Sequence, residues 1–122
     1  MSIHVTLKYA DADAALAFLT GPLGLTEVQV NRDGAGTIAH AELAHGTDVL
    51  LVGTRNGGEF DTGKAVVYLA VDDPDAHHAR AVAAGATVVQ QLVDQPYGSR
   101  EYAVSDPEGN IWSIGTYRPG VS

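Results

Sequence analysis

Two short motifs recur at one spacing along this chain, and no other feature of the sequence narrows the possible folds as far. Asp11-Ala12-Asp13-Ala14 returns as Asp73-Pro74-Asp75-Ala76, and Gly53-Thr54 returns as Gly115-Thr116, each 62 residues on (73 − 11 = 62; 115 − 53 = 62). Between these anchors Gly24-Leu25-Thr26-Glu27-Val28 answers Gly85-Ala86-Thr87-Val88-Val89 at 61 (85 − 24 = 61), the offset left by one residue fewer in the second helix-to-strand connection. Chance similarity between two alanine-rich helices would not keep strand ends in step with helix starts. The chain is two copies of one unit. Its 122 residues suit a single domain, with modules at about 1–56 and 64–119, a linker at 57–63 and one core shared by both copies.

Each copy reads as β-α-β-β-β. Ile3 to Tyr9 alternates apolar Ile3, Val5 and Leu7 with polar His4, Thr6 and Lys8, the period of a strand with one face on a core. Asp11 is placed to cap a helix in which Ala12, Ala15, Leu16 and Leu19 recur at helical spacing until Gly21-Pro22. Strands follow at Thr26–Val30, Thr37–Ala44 and Asp48–Thr54, with the polar, glycine-rich run 31–36 as a loop. The second copy gives a strand at Ala65–Val71, a helix capped by Asp73 with Pro74 first and Gly85 after its end, and a strand at Thr87–Val93. A hairpin closes the chain: Ser99–Ser105 and Asn110–Tyr117 joined by Asp106-Pro107-Glu108-Gly109. There Pro107 presets φ at the first corner and Gly109 takes the positive φ that closes the turn.

Composition then removes whole classes of function. With 15 acidic against 7 basic side chains the net charge is −8, no basic cluster offsets it, and nucleic acid is not an expected partner. The same field favours a cationic small molecule. Cysteine is absent, so disulfides, thiolate metal sites and cysteine catalysis drop out. No apolar stretch has the length of a membrane span and the first residues lack a secretory pattern, so the expectation is a cytoplasmic protein with no membrane partner.

The tandem βαβββ pattern, the Asp-x-Asp-Ala helix starts and the hairpin Y-G-S-R-E-Y-A-V-S-D-P-E-G-N-I-W-S-I-G-T-Y together resemble the vicinal oxygen chelate superfamily. That group includes glyoxalase I, extradiol dioxygenases and bleomycin resistance proteins, and the similarity is strongest to its small glyoxalase/bleomycin resistance type. The resemblance implies an α+β fold in which each module curls its sheet into a half-cup, a ligand or metal held in the cup, and a homodimer. It leaves open lyases, isomerases, dioxygenases and metal-free drug binders, all carried on this scaffold.

Metal-dependent relatives place a His in the first strand of each module and a Glu in the last. Counting from the helix starts and from the hairpin turn, those positions here are His4, Leu51, Val66 and Ser113. Leucine and valine have no lone pair and a serine hydroxyl is a poor ligand, so neither metal nor other cofactor is expected. His40 and Glu42 share one face of their strand and with His4 would make two imidazoles and a carboxylate, a rearranged site roughly 10 Å across if the strand order is one, four, three.

Strand parity nominates the pocket lining. His4 and Thr6 lie on one face of the first strand; Val66 and Tyr68 share a face of the fifth; Leu51 and Ser113 sit on the last strand of each module. Arg100 and Tyr102 share one face of the seventh strand and Glu101 takes the other, with the inward face undecided; Arg100 would either clamp an anion or pair with a carboxylate. Trp112 has the packing parity, and His77 and His78 read as a solvated helix face. The reading this supports is a metal-free binder of a small aromatic or cationic molecule, in the manner of antibiotic-sequestering proteins. Its rival is a lyase, isomerase or dioxygenase-like enzyme of the same fold using His4 with Tyr68 or Glu42.

Overall fold

The computed structural model describes residues 1–120 and divides the chain into two compact units, Met1–Gly63 and Lys64–Ser122. The first runs β1 (Thr6–Tyr9), α1 (Ala12–Thr20), β2 (Thr26–Arg32), β3 (Ile38–His45) and β4 (Asp48–Thr54). The second runs β5 (Val66–Ala70), α2 (Pro74–Ala83), β6 (Thr87–Asp94), β7 (Arg100–Ser105) and β8 (Ile111–Gly115). Their sheets have the same order, β1-β4-β3-β2 and β5-β8-β7-β6, with the first and last strand of each unit parallel and the other neighbours antiparallel. This is the α+β arrangement that the resemblance implied, and each unit keeps the β-α-β-β-β order read from the sequence.

Both helices start where an aspartate can accept a backbone donor. The Asp11 carboxylate takes the Ala14 N–H at 3.0 Å and the Asp73 carboxylate takes that of Ala76 at 3.1 Å. In α1 the buried positions are Ala12, Ala15, Leu16 and Leu19, the apolar stripe of the sequence. Burying each leucine there contributes about 1.5–3 kcal/mol. In the second unit the layer against α2 is heavier, with Trp112, Ile114, Tyr102 and Val104 all fully buried on one side of the sheet. Gly85, at φ +86°, ends the connection from α2 in the left-handed region.

Beyond shifts of one or two residues at several strand ends, three features differ from the sequence pattern. Ile3 and Val5, expected to face the helix with Leu7, are 96% and 49% exposed, whereas Leu7 and Tyr9 are buried. The pairing of β1 with β4 covers only Thr6 to Tyr9, and a nine-residue helix of about 14 Å cannot shelter a longer strand. Second, β2 continues through Asn31 and Arg32, residues whose polarity had suggested a loop. It is an edge strand, so polar side chains keep their water, and Arg32 reaches across to Asp13 at 2.7 Å. Third, each long edge strand shifts register at the same place, leaving Val28 and Val89 as the extra, exposed residues, so the duplication extends to its irregularities.

The hairpin turn is held by more than its backbone geometry. Asp106 is buried, and its carboxylate accepts the N–H groups of Glu108 and Asn110 at 3.0 Å each, the Asn110 side-chain amide at 2.9 Å and the Trp112 indole N–H at 3.1 Å. Asn110 passes the order on, its side-chain oxygen accepting the Ala65 N–H at 2.8 Å at the entry to β5. Gly109 supplies φ +90°. Trp112 therefore faces the packed side of the sheet, as its parity implied.

Candidate functional site

Strand alternation gives the second unit a face away from α2 that carries Val66, Tyr68 and Ala70 on β5, Ile111, Ser113 and Gly115 on β8, and Glu101 and Ala103 on β7. Tyr68, Ser113 and Ala103 are paired in one row across three strands. The chemistry concentrates beside that row, around Glu101. This carboxylate is only 6% exposed and has no ion-pair partner among the described residues. It is instead surrounded by neutral donors: the Tyr97 hydroxyl at 2.7 Å on one oxygen, and Ser99 at 2.9 Å and the Tyr68 hydroxyl at 3.1 Å on the other.

Those donors decide its ionisation. Burial pushes the Glu101 carboxyl up, but hydrogen bonds from Tyr97, Ser99, Tyr68 and Gln95 together outweigh burial and leave it below the usual carboxylate range. Glu101 is an anion at neutral pH. Burial first, and then the neighbouring anion, hold the Tyr68 phenol above its ordinary value; the hydrogen bond to Glu101, then burial, do the same for Tyr97. The Tyr117 backbone N–H donates to the Tyr68 hydroxyl at 2.9 Å and to Ser99 at 3.1 Å, tying the chain beyond β8 to the same network. The three tyrosine rings meet edge to face, Tyr68 with Tyr117 at 6.2 Å and Tyr97 with Tyr117 at 6.4 Å between centroids. Gly115 makes the arrangement possible, because a Cβ there would lie 2.4 Å from Glu101 Cγ and 2.8 Å from the Tyr68 hydroxyl.

The equivalent face of the first unit carries His4, Thr6, Leu51, His40 and Glu42. Thr6, Leu51, Glu42 and Gln29 form one row across β1, β4, β3 and β2. Both ring nitrogens of His4 are engaged: Nδ1 donates to the Val49 carbonyl at 2.7 Å and Nε2 lies 2.6 Å from the Ser2 hydroxyl. His40 Nε2 lies 2.9 Å from Glu42. The hydrogen bond from His40, then that from Gln29, hold the Glu42 carboxyl below its usual range, with a smaller contribution from His4.

Neither face fits the ion that many relatives of this fold use. Leu51 and Val66 offer no donor atoms and Ser113 only a hydroxyl, which leaves His4 as the one strong donor of the four positions. Among the described residues no three His, Asp or Glu side chains are grouped to hold a metal, the His4, His40 and Glu42 combination included.

Arg100 and Tyr102, grouped with the pocket candidates by sequence, are placed by the structure on the opposite side of β7. Arg100 pairs with Asp75 at 2.9 Å and Asp94 at 3.2 Å, the carboxylate pairing that was its alternative reading. Tyr102 is fully buried under α2, its hydroxyl bonded to His77 and its ring against the His78 imidazole, and burial pushes its phenol up to about 12. The two histidines are thus half-buried packing groups, where a solvated face had been expected. The apolar pair Tyr102 and Val104 claims the helix side, which forces Glu101 to the other face. That signal was present in the period-2 pattern of β7, as was the need for glycine at 115 opposite a bulky acid.

Two βαβββ units with these sheet orders define a glyoxalase-type fold. The sequence pattern of the Glyoxalase/Bleomycin resistance protein/Dioxygenase superfamily matches residues 2–114, and the chain belongs to that superfamily. It is 36% identical over 125 residues to the uncharacterized protein Rv0887c from Mycobacterium tuberculosis (strain ATCC 25618 / H37Rv), covering 94% of this chain and 72% of that one. Among solved structures it is similar to TioX from Micromonospora sp. ML1, with a TM-score of 0.81, 32% identity and coverage of 97% and 99%. Lactoylglutathione lyase from Agrobacterium tumefaciens shares the fold at a TM-score of 0.72 and 23% identity, covering 94% and 92%.

Proposed function

We propose that this protein binds a small molecule without a metal ion, in an antibiotic-sequestering role, as a cytoplasmic homodimer. One observation carries the reading: the non-helical face of the second unit joins a buried anion to exposed aromatic rings, while of the four ligand positions of metal-dependent relatives only His4 offers a strong donor. Such a mix of apolar surface with a few fixed polar groups is the usual make-up of a small-molecule site. Val66, Tyr68 and Ser113 are its proposed contacts in the second unit, and His4, Thr6, His40, Glu42 and Leu51 form a second proposed contact surface in the first.

The test is a thermal-shift screen with cationic glycopeptide and aromatic antibiotics in the presence of a chelator. A ligand at a hundred times its Kd adds about 2.7 kcal/mol, which for a chain of this size raises Tm by roughly 8–13 °C. No shift across the screen contradicts the proposal. The rival is a metal-independent lyase or isomerase, favoured by one observation in the first unit: His4, His40 and Glu42 share one face, with His40 Nε2 2.9 Å from the Glu42 carboxylate. Turnover of a candidate substrate that His4→Ala abolishes, with stability unchanged, would select that reading.

A further inference from the structure

We infer that the group recognised at the second unit's face is an alkylammonium, seated against the rings of Tyr97 and Tyr117 and facing the charge of Glu101. The inference deepens the binding function proposed above and rests on it.

Three observations converge. Glu101 is a buried carboxylate with no ion-pair partner among the described residues; its charge is solvated only by neutral hydroxyl and amide donors. An unneutralised anion under low-dielectric cover is costly, and a ligand cation brought close regains part of that cost. Next, Tyr97 and Tyr68 each donate a hydroxyl to that anion, and a phenol that does so gains electron density in its ring, which strengthens attraction for a cation over the ring face. Finally, the rings stand at steep angles, 76° for Tyr68 with Tyr117 and 86° for Tyr97 with Tyr117. Tyr97 is 64% and Tyr117 53% exposed, so ring faces are open to solvent. Walls of perpendicular aromatic rings beside a carboxylate are the arrangement that receives methylated ammonium groups.

A network built merely to anchor the chain beyond β8 would need the backbone bonds of Tyr117 and the hydroxyl of Ser99. It would not need aromatic rings on two residues that are more than half exposed. An anionic ligand is disfavoured by Glu101 itself, and the net charge of −8 draws a cation toward the surface.

The experiment is isothermal titration of the full chain with choline chloride, with 3,3-dimethylbutan-1-ol as its neutral isostere, and with indole as a neutral aromatic probe, all against a sodium chloride control of equal ionic strength. Choline is expected to bind saturably and at least about tenfold more tightly than the isostere, the size of one or two cation–π contacts. Glu101→Gln and Tyr97→Leu are each expected to weaken choline by about tenfold, and Tyr97→Phe, which keeps the ring, by less. Equal binding of choline and its isostere, or choline binding untouched by Tyr97→Leu, overturns the inference. If Glu101→Gln does not fold, Tyr97→Leu and Tyr117→Leu carry the test, because neither ring is packed in the core. Indole binding while choline is silent overturns the ammonium assignment and leaves the small-molecule reading standing. Silence of every probe together with a blank antibiotic screen overturns both.

Discussion

Replacing Asp106 by alanine removes one acceptor from four donors, and the cost can be worked donor by donor. The Glu108 amide is half-exposed and can turn to water. The Asn110 backbone and side-chain N–H groups and the Trp112 indole N–H are buried and have no other acceptor in the turn. Each stranded buried donor costs about 1–3 kcal/mol, less than additively because one relaxation can relieve several. The expected loss is about 3–5 kcal/mol, a large part of the 5–15 kcal/mol that typically separates folded from unfolded chains. Asp106→Asn keeps one acceptor oxygen and should lose about half as much. Trp112 is the only tryptophan, so urea unfolding followed by its fluorescence reports the second unit directly. A midpoint for Asp106→Ala within about 1 kcal/mol of the parent, at unchanged slope, would refute the view that this carboxylate organises the hairpin.

Four further outcomes follow from the same geometry. Gly115→Ala should destabilise by about 1–3 kcal/mol through the forced movement of Glu101 and Tyr68, and should weaken any ligand of that face, whereas Gly63→Ala, with open space around it, should be near neutral in the same denaturation assay. Asp11→Ala and Asp73→Ala should each cost about 0.5–2 kcal/mol, read by thermal unfolding. Acidification should expose Glu101: because its folded pKa lies below the usual 4.5, its contribution is complete above that value and is lost as pH falls through the folded pKa, so Glu101→Gln should flatten the acid limb of the stability curve. Tyr102 behaves in the opposite sense, its folded pKa raised from 10.0 to about 12, so its contribution is complete below pH 10 and declines as pH rises toward 12; Tyr102→Phe should remove that alkaline slope.

The duplication makes most of the fold legible in the sequence itself. Strand β4 begins and ends where the pattern put it, and α1 buries the four residues of its stripe. Boundaries failed where a neighbour decides the outcome: Ile3 and Val5 alternate correctly but have no helix over them, and Asn31 and Arg32 look like a loop because an edge strand tolerates polarity. The candidate site was half legible. Tyr68 and Ser113 share a face as parity required. By sequence Glu101 stands opposite Arg100 and Tyr102 with its facing undecided, and only the pairing of β7 between β6 and β8 shows that three hydroxyls cover it. Tyr97 lies outside regular elements, where periodicity has nothing to say, and Tyr117 stands beyond the end of β8 although the sequence pattern carries that strand to it.

The central claim, a ligand face in the second unit that works without metal, is tested most directly by mapping amide and tyrosine-ring NMR shifts while choline is added to the chelator-treated protein. The account predicts movement at Tyr68, Tyr97, Glu101 and Tyr117, with Tyr9 and Tyr102 still. No shift at any of Tyr68, Tyr97, Glu101 and Tyr117, or shifts that emerge only after zinc is restored, would contradict it.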